Sequence, residues 1–149
     1  MIRNKDFFFR EGITCSSVGL KFNASYMPAD NLFGVNTNLF CKTRKDLFYL
    51  LGFLNSKVAY YISRQLINRT NNISARYVKM IPYLEPDKET KIKISQIVEE
   101  IVKNMKENQN YNFSDKQKVL DELFFTTYRI NREEEKQITD FCENIFERI

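Results

Sequence analysis

Thr43-Arg44-Lys45-Asp46-Leu47-Phe48-Tyr49-Leu50-Leu51-Gly52-Phe53-Leu54 opens the stretch that decides the fold. From there Leu47, Leu50, Leu51, Leu54, Val58, Tyr61, Ile62 and Leu66 recur at intervals of three and four. Such spacing lays one apolar stripe along a helix and predicts a helix over residues 45–67. Thr43-x-x-Asp46 fits the looser form of a capping box at its start, and the polar run Asn68 to Asn72 ends it.

Upstream, residues 7–42 read as short strands and turns. The aromatic run Phe7-Phe8-Phe9 is broken by Gly12. Ile13 to Val18 is rich in β-branched and small residues, Phe22 to Tyr26 alternates apolar with polar, and Thr37 to Cys41 forms a further short strand. Gly19 and the Pro28-Ala29-Asp30-Asn31 turn separate them. Residues 73–84 read as short and irregular, with Pro82 and Pro86 limiting regular structure.

Downstream, everything from Asp87 is helical in pattern. Ile94, Ile97, Val98, Ile101, Val102 and Met105 form one stripe. After a break at Asn108 to Asn112, Ser114-x-x-Gln117 has the form of a second capping box, opening a helix with Leu120, Leu123, Phe124 and Tyr128. Asn131-x-x-Glu134 starts a third, with Ile138, Phe141, Cys142, Ile145, Phe146 and Ile149 on one face. The fold class that follows is α+β: a small mixed or antiparallel sheet packed on one main helix, then a C-terminal helical hairpin or small bundle. Residues 1–86 form the first part and residues 87–149 a helical spacer or docking segment.

Charge divides the chain at the same place. Residues 1–86 carry 12 Lys/Arg against 5 Asp/Glu, net +7, and residues 87–149 carry 11 against 14, net −3. No acidic residue occurs in the 38 positions between Asp46 and Glu85, which hold Lys57, Arg64, Arg69, Arg76 and Lys79. Cations and amides without carboxylates suit a polyanion, of which DNA is the commonest. The competing reading is a locally skewed but ordinary solvated surface.

Composition removes several chemistries. There is no His, so zinc sites, Cys-His and Ser-His-Asp hydrolases and His phosphotransfer are disfavoured together. Cys15, Cys41 and Cys142 are odd in number, widely spaced and without a CxxC, which reads as buried thiols in a reducing cytoplasm. Met1 to Asp6 lacks the apolar core of a signal peptide, and no apolar run reaches the length of a membrane span. No Walker loop, GxGxxG or Asn-Pro-Pro-Tyr-type methyltransferase loop occurs. Glu89-Thr90-Lys91 has the Glu-x-Lys spacing of a nuclease centre but lies at a helix start, where a solvated face is the plainer reading. Glu133-Glu134-Glu135 point in different directions on a helix and suit its positive N-terminal end.

Binding is what remains. Asn68, Arg69, Asn71 and Asn72 have side chains that hydrogen-bond base edges: Arg pairs with guanine and Asn with adenine. A polar turn with Asn in left-handed conformations is the alternative. Arg64 sits near a helix C-terminus, where a cation is favoured anyway. Arg76 and Lys79 extend the basic segment. Arg10, Lys21 and Arg44 fall in predicted loops of the sheet region, where phosphate positioning and plain solubility are both open.

The order of segments also resembles a known family. Phe8-Phe9-Arg10-Glu11-Gly12-Ile13-Thr14 resembles the aromatic-x-Gly-Ile-Thr-Trp opening of the TaqI-like C-terminal specificity domain, with Cys15 where that family often has Trp. Leu51-Gly52-Phe53-Leu54-Asn55-Ser56-Lys57 is similar to its Leu-x-x-Leu-Asn-Ser-Lys helix, and Tyr77-Val78-Lys79-Met80-Ile81-Pro82 to its closing Tyr-x-x-x-hydrophobic-Pro element. The tail, with Leu120 to Phe124 and Tyr128-Arg129-Ile130, is similar to the helices that often follow.

The resemblance implies a target-recognition module of DNA adenine-N6 methyltransferases and restriction–modification enzymes, related to the recognition domains of type I specificity subunits. It implies double-stranded DNA as ligand and no catalytic residues or cofactor in this chain. S-adenosylmethionine and Mg²⁺ are then expected in a methyltransferase or endonuclease domain, in the same polypeptide or a partner subunit. A cytoplasmic location without membrane contact accords with this. The rivals are a protein-interaction module with a basic face and a small nuclease.

Overall fold

The computed structural model describes residues 5–19, 22–34, 36–68, 70 and 72–146, without the side chains of Lys5, Ile145 and Phe146. Three short strands, β1 (Gly12–Cys15), β2 (Ala24–Met27) and β3 (Thr37–Leu39), form an antiparallel sheet in the order β2-β1-β3. β1 is central: Ile13 faces Tyr26 and Leu39, Thr14 faces Ser25 and Asn38, and Cys15 faces Ala24 and Thr37. Alternation along a strand puts Ile13 and Cys15 on one face and Thr14 on the other. Ile13 and Cys15 are fully buried in the core, while the Thr14 row is polar. The aromatic segment before β1 is not a strand: Lys5–Phe7 makes a 3₁₀ turn, and Phe7 and Phe40, then Phe33 and Phe8, pack ring on ring.

Among the described residues six α-helices follow, of which the first packs on the sheet and the last three pack on other helices: α1 (Arg44–Leu54), α2 (Lys57–Tyr61), α3 (Ala75–Val78), α4 (Lys88–Glu107), α5 (Ser114–Thr127) and α6 (Arg132–Phe146). The fold is thus α+β, with α1 packed on the sheet as its main helix. The Thr43 hydroxyl accepts the Asp46 N–H and donates to the Asp46 carboxylate, so the anticipated cap is present.

The single helix anticipated over 45–67 is instead broken at Asn55 and Ser56. Both side chains compete for backbone groups. Asn55 leaves the helix axis to bond β2, and Ser56 Oγ accepts the Ala59 N–H while donating to the Phe53 carbonyl, which caps a new helix. Beyond α2, residues Ile62–Ile67 wind into a π-helical turn that closes with the Asn68 N–H on the Ser63 carbonyl, five residues back.

α4 lies against α1 at close range, because a Cβ on Gly52 would stand 2.8 Å from Val98 Cγ2. Ser95 Oγ reaches across to the Lys45 carbonyl. Ile94, Val98, Leu120 and Phe124 belong to the same buried cluster as Leu51, Phe53 and Ile13, so the core runs continuously across residue 86.

Capping at α6 follows the sequence pattern: Asn131 Oδ1 accepts the Glu133 and Glu134 N–H groups, and Glu134 reaches back to the Asn131 N–H. Capping at α5 does not. Asn112 Oδ1 takes both the N–H and the hydroxyl of Ser114, while Gln117 turns inward to the Asn55 carbonyl and Asp121.

Pro82 to Glu85 is clamped between helices. Tyr49 donates its hydroxyl to the Leu84 carbonyl, and Tyr128 donates to the Pro82 carbonyl while accepting the Leu84 N–H. Lys91 Nζ lies 2.5 Å from both Asp46 Oδ1 and Glu85 Oε1. Lys91, expected on a solvated face, is therefore turned inward with its side chain only 13% exposed, while Glu89 stays exposed. Asp46 and Glu85, the two acids that bound the acid-free stretch, meet on one lysine.

Candidate nucleic-acid interface

The anticipated DNA-contacting residues fall at two ends of the sheet. At the Gly12 end lie Arg10, just before β1, and Arg44, just after β3. At the Cys15 end the loop after the π turn is stitched to the loop after β1: Val18 bridges Asn72, and the Ile73 N–H donates to the Ser17 carbonyl. Lys21, Arg69 and Asn71 lie outside the described residues.

Arg64 and Asn68 do not face solvent. Arg64 is 6% exposed, and its guanidinium donates to the Gly19 and Thr70 carbonyls. Burial lowers its pKa from the ordinary value, with Tyr60 opposing. Its Nε is buried without a partner among the described residues. Asn68 donates to the Asn72 carbonyl and accepts the Thr70 N–H and hydroxyl. These two residues shape the loop from inside; Asn68 does so from extended backbone, φ −149°, not from the left-handed conformation anticipated for a polar Asn turn. The sequence signal is ambiguous because buried structural and exposed recognition amides have the same composition.

Asn72, Arg76 and Lys79 are exposed. Arg76 lies on α3 and Lys79 ends it, with no ion pair at either among the described residues. Arg10 is exposed and stacks its guanidinium over Phe7 at 5.4 Å. Arg44 is exposed too, but Glu11 and Glu99 hold it at 3.3 and 3.7 Å, and it covers Phe48. Its charge is already partly answered. Lys42 and Lys45, which the motif reading passed over, are exposed beside it.

Between the two ends runs a polar row across the outer sheet face: Ser25, Thr14 and Asn38, one from each strand in register. Asn38 donates to the Gly34 and Asn36 carbonyls, and its Oδ1 is buried without a partner. Ser17 donates to Asn36 at the same end. This row was legible in principle as the polar half of the strand alternation; without strand register its three members are not connected.

The Asn-Ser-Lys part of the α1–α2 segment has structural tasks. Asn55 holds β2, Ser56 caps α2, and the Lys57 N–H donates to buried Asp121 on α5. Lys57 Nζ pairs with Glu143 on α6 at 3.6 Å. The thiols of Cys15 and Cys142 are buried, which pushes each up to about 12 and leaves them unreactive. Among the described residues no group of three His, Cys, Asp or Glu stands close enough to hold a metal ion, and no helix is long and apolar enough to cross a membrane.

No protein-family model matches this chain, and no curated protein matches it.

Proposed function

We propose that this chain recognises double-stranded DNA in a sequence-specific manner, as the specificity module of an adenine-N6 methyltransferase or restriction–modification system. One observation carries the reading. The acid-free stretch presents Asn72, Arg76 and Lys79 to solvent, while the carboxylates at its two ends share the single Lys91 ammonium. Exposed cations and amides in a segment that carries no carboxylate of its own suit phosphate.

The resemblance over residues 7–86 supports the same reading. In it, Arg76 and Lys79 position the duplex through phosphates, Arg10 adds a contact at the far end of the sheet, and Arg69, Asn71 and Asn72 read base edges. Arg64 and Asn68 hold that loop in shape. Methyl transfer from S-adenosylmethionine and any Mg²⁺-dependent cleavage belong to a separate catalytic domain.

Selection of random duplexes on the full chain, followed by sequencing, tests the proposal. A short recurrent word is the expected result, and Arg69→Ala relaxes it at one position. Recovery of unselected sequence, with all duplexes bound alike, contradicts sequence-specific recognition.

A further inference from the structure

β2 is an edge strand, and its outward backbone groups have unequal partners. The Ser16 N–H donates to the Asn23 carbonyl, so Asn23 and Ser25 turn their main-chain groups toward β1, and Ala24 and Tyr26 turn theirs away. Asn55 takes both groups of Ala24. The Tyr26 N–H and C=O have no hydrogen-bond partner among the described residues.

Alongside this edge runs a groove of about 810 Å³, floored by the last turn of α1 and walled by α4 and α5. Val98, Ile101, Val102 and Phe113 give it an apolar lining. Asp121, only 6% exposed, contributes a carboxylate to it. Asp121 Oδ1 accepts the Lys57 N–H at 2.9 Å and Gln117 Nε2 at 3.3 Å; Oδ2 has no partner among the described residues. The Lys57 ammonium pairs with Glu143 at 3.6 Å and acts on Asp121 through its charge without a direct contact. Burial raises the Asp121 pKa, with the Lys57 contacts and Gln117 opposing.

The strand edge and the carboxylate line the same groove. Asn55 bonds Ala24 with its side chain and Gln117 with its carbonyl, and Gln117 bonds Asp121. Tyr26 lies two residues along the strand from Ala24, about 7 Å. A chain laid on the edge at Tyr26 therefore enters the groove that Asp121 also lines. A carboxylate oxygen without a partner among the described residues, in a groove with an apolar wall, suits a cation, although Lys57 and Lys106 also line that groove. An unpaired N–H and C=O couple on a strand edge selects an extended backbone. Together they describe a peptide rather than a free amine.

We propose that this groove receives an extended segment of a partner protein, its main chain paired with Tyr26, its apolar side chains against α4, and a lysine or arginine on Asp121 Oδ2. The proposal is independent of DNA recognition.

Selecting a displayed library of random linear peptides on the full chain, then titrating a selected peptide by calorimetry, tests it. The expected peptides carry Lys or Arg flanked by apolar residues. Asp121→Asn keeps the acceptor for the Lys57 N–H and weakens binding by about tenfold or more without lowering the melting temperature. Val102→Glu, at a half-buried position on the wall, removes binding, and N-methylation of the peptide amide that pairs with Tyr26 weakens it. The proposal is overturned if no peptide is enriched over the Val102→Glu protein, if selected peptides lack a basic residue, or if affinity ignores both substitutions. Binding of n-butylamine as tight as the best peptide overturns the partner-segment assignment in favour of a small amine.

Discussion

The Asn55 side-chain amide holds both main-chain groups of Ala24: Oδ1 accepts the Ala24 N–H at 3.1 Å, and Nδ2 donates to the Ala24 carbonyl at 2.8 Å. One side chain thus completes the edge of β2 as a neighbouring strand would, while Nδ2 also bonds the Leu51 carbonyl of its own helix. Asn55→Ala leaves a part-buried N–H and C=O unpaired, and should cost about 2–3 kcal/mol in urea denaturation. Asn55→Asp keeps the acceptor, loses the donor, and sets a carboxylate against the Ala24 carbonyl; its stability should not exceed that of the Ala variant.

Arg64 offers a separate test of structure against recognition. Its guanidinium ties the loop after β1 to the loop after the π turn. Arg64→Ala should destabilise by about 2–4 kcal/mol, through two orphaned carbonyls and lost packing. Arg64→Lys should recover little, because one ammonium on a flexible stem does not reproduce the planar fork. At temperatures where Arg64→Lys is folded, the salt dependence of its DNA binding should match the wild type, since no phosphate contact has been removed.

Gly52 and Val98 should behave as a coupled pair. Gly52→Ala places a methyl 2.8 Å from a branched, stiff side chain, and should cost about 1–3 kcal/mol despite alanine's better helix propensity. Val98→Ala makes room, so the double variant should be more stable than the sum of the single losses. A double-mutant cycle by thermal melting measures the coupling.

Carboxylates pull the pH profile in two directions. Hydrogen bonds from Lys91, then from Thr43 and Tyr83 respectively, hold the Asp46 and Glu85 pKa values below their ordinary ones. The stability they contribute is present above the unfolded values and is lost as pH falls through the lower folded values. Asp121 is raised by burial, so its ionisation lowers stability as pH rises through its folded value, and the neutral form favours folding below that point. Asp121→Asn should therefore raise the melting temperature at neutral pH and flatten the fall in stability that begins above the ordinary Asp value, while Lys91→Met should remove the Lys91 share of the acid-side loss at Asp46 and Glu85 and leave the shares of Thr43 and Tyr83. Melting temperatures from pH 3 to pH 8 separate the two.

Local chemistry made much of this fold legible. The α4 stripe from Ile94 to Val102, the α6 stripe over Ile138, Phe141 and Cys142 (Ile145, Phe146 and Ile149 lie outside the described side chains), the Thr43 and Asn131 caps and the three strands follow from short-range patterns that compete with nothing else nearby, whereas Met105 at the end of the α4 stripe is exposed. The break at Asn55 was hidden because apolar spacing continues across it, and only β2, 31 residues upstream, supplies the partner that draws the side chain out. Gln117 misleads for a similar reason: Phe113 is the cap residue and makes no side-chain cap bond, Ser114 is held by Asn112, and the Gln117 amide is needed at Asn55 and Asp121. The candidate interface was half legible. Exposed Arg76 and Lys79 were found by charge, but burial of Arg64 and Asn68 depends on a loop that reaches them from residue 19 and residue 72. The polar row Ser25, Thr14 and Asn38 requires strand register.

Binding of duplex DNA by the full chain against salt concentration is the most direct test of the central claim. Affinity should fall linearly in log–log form with rising salt. Lys79→Ala and Arg76→Ala should each reduce the slope by about 1 and weaken all sequences alike. No retention of any duplex at low salt, or binding whose salt slope is unchanged in both variants, would contradict the account.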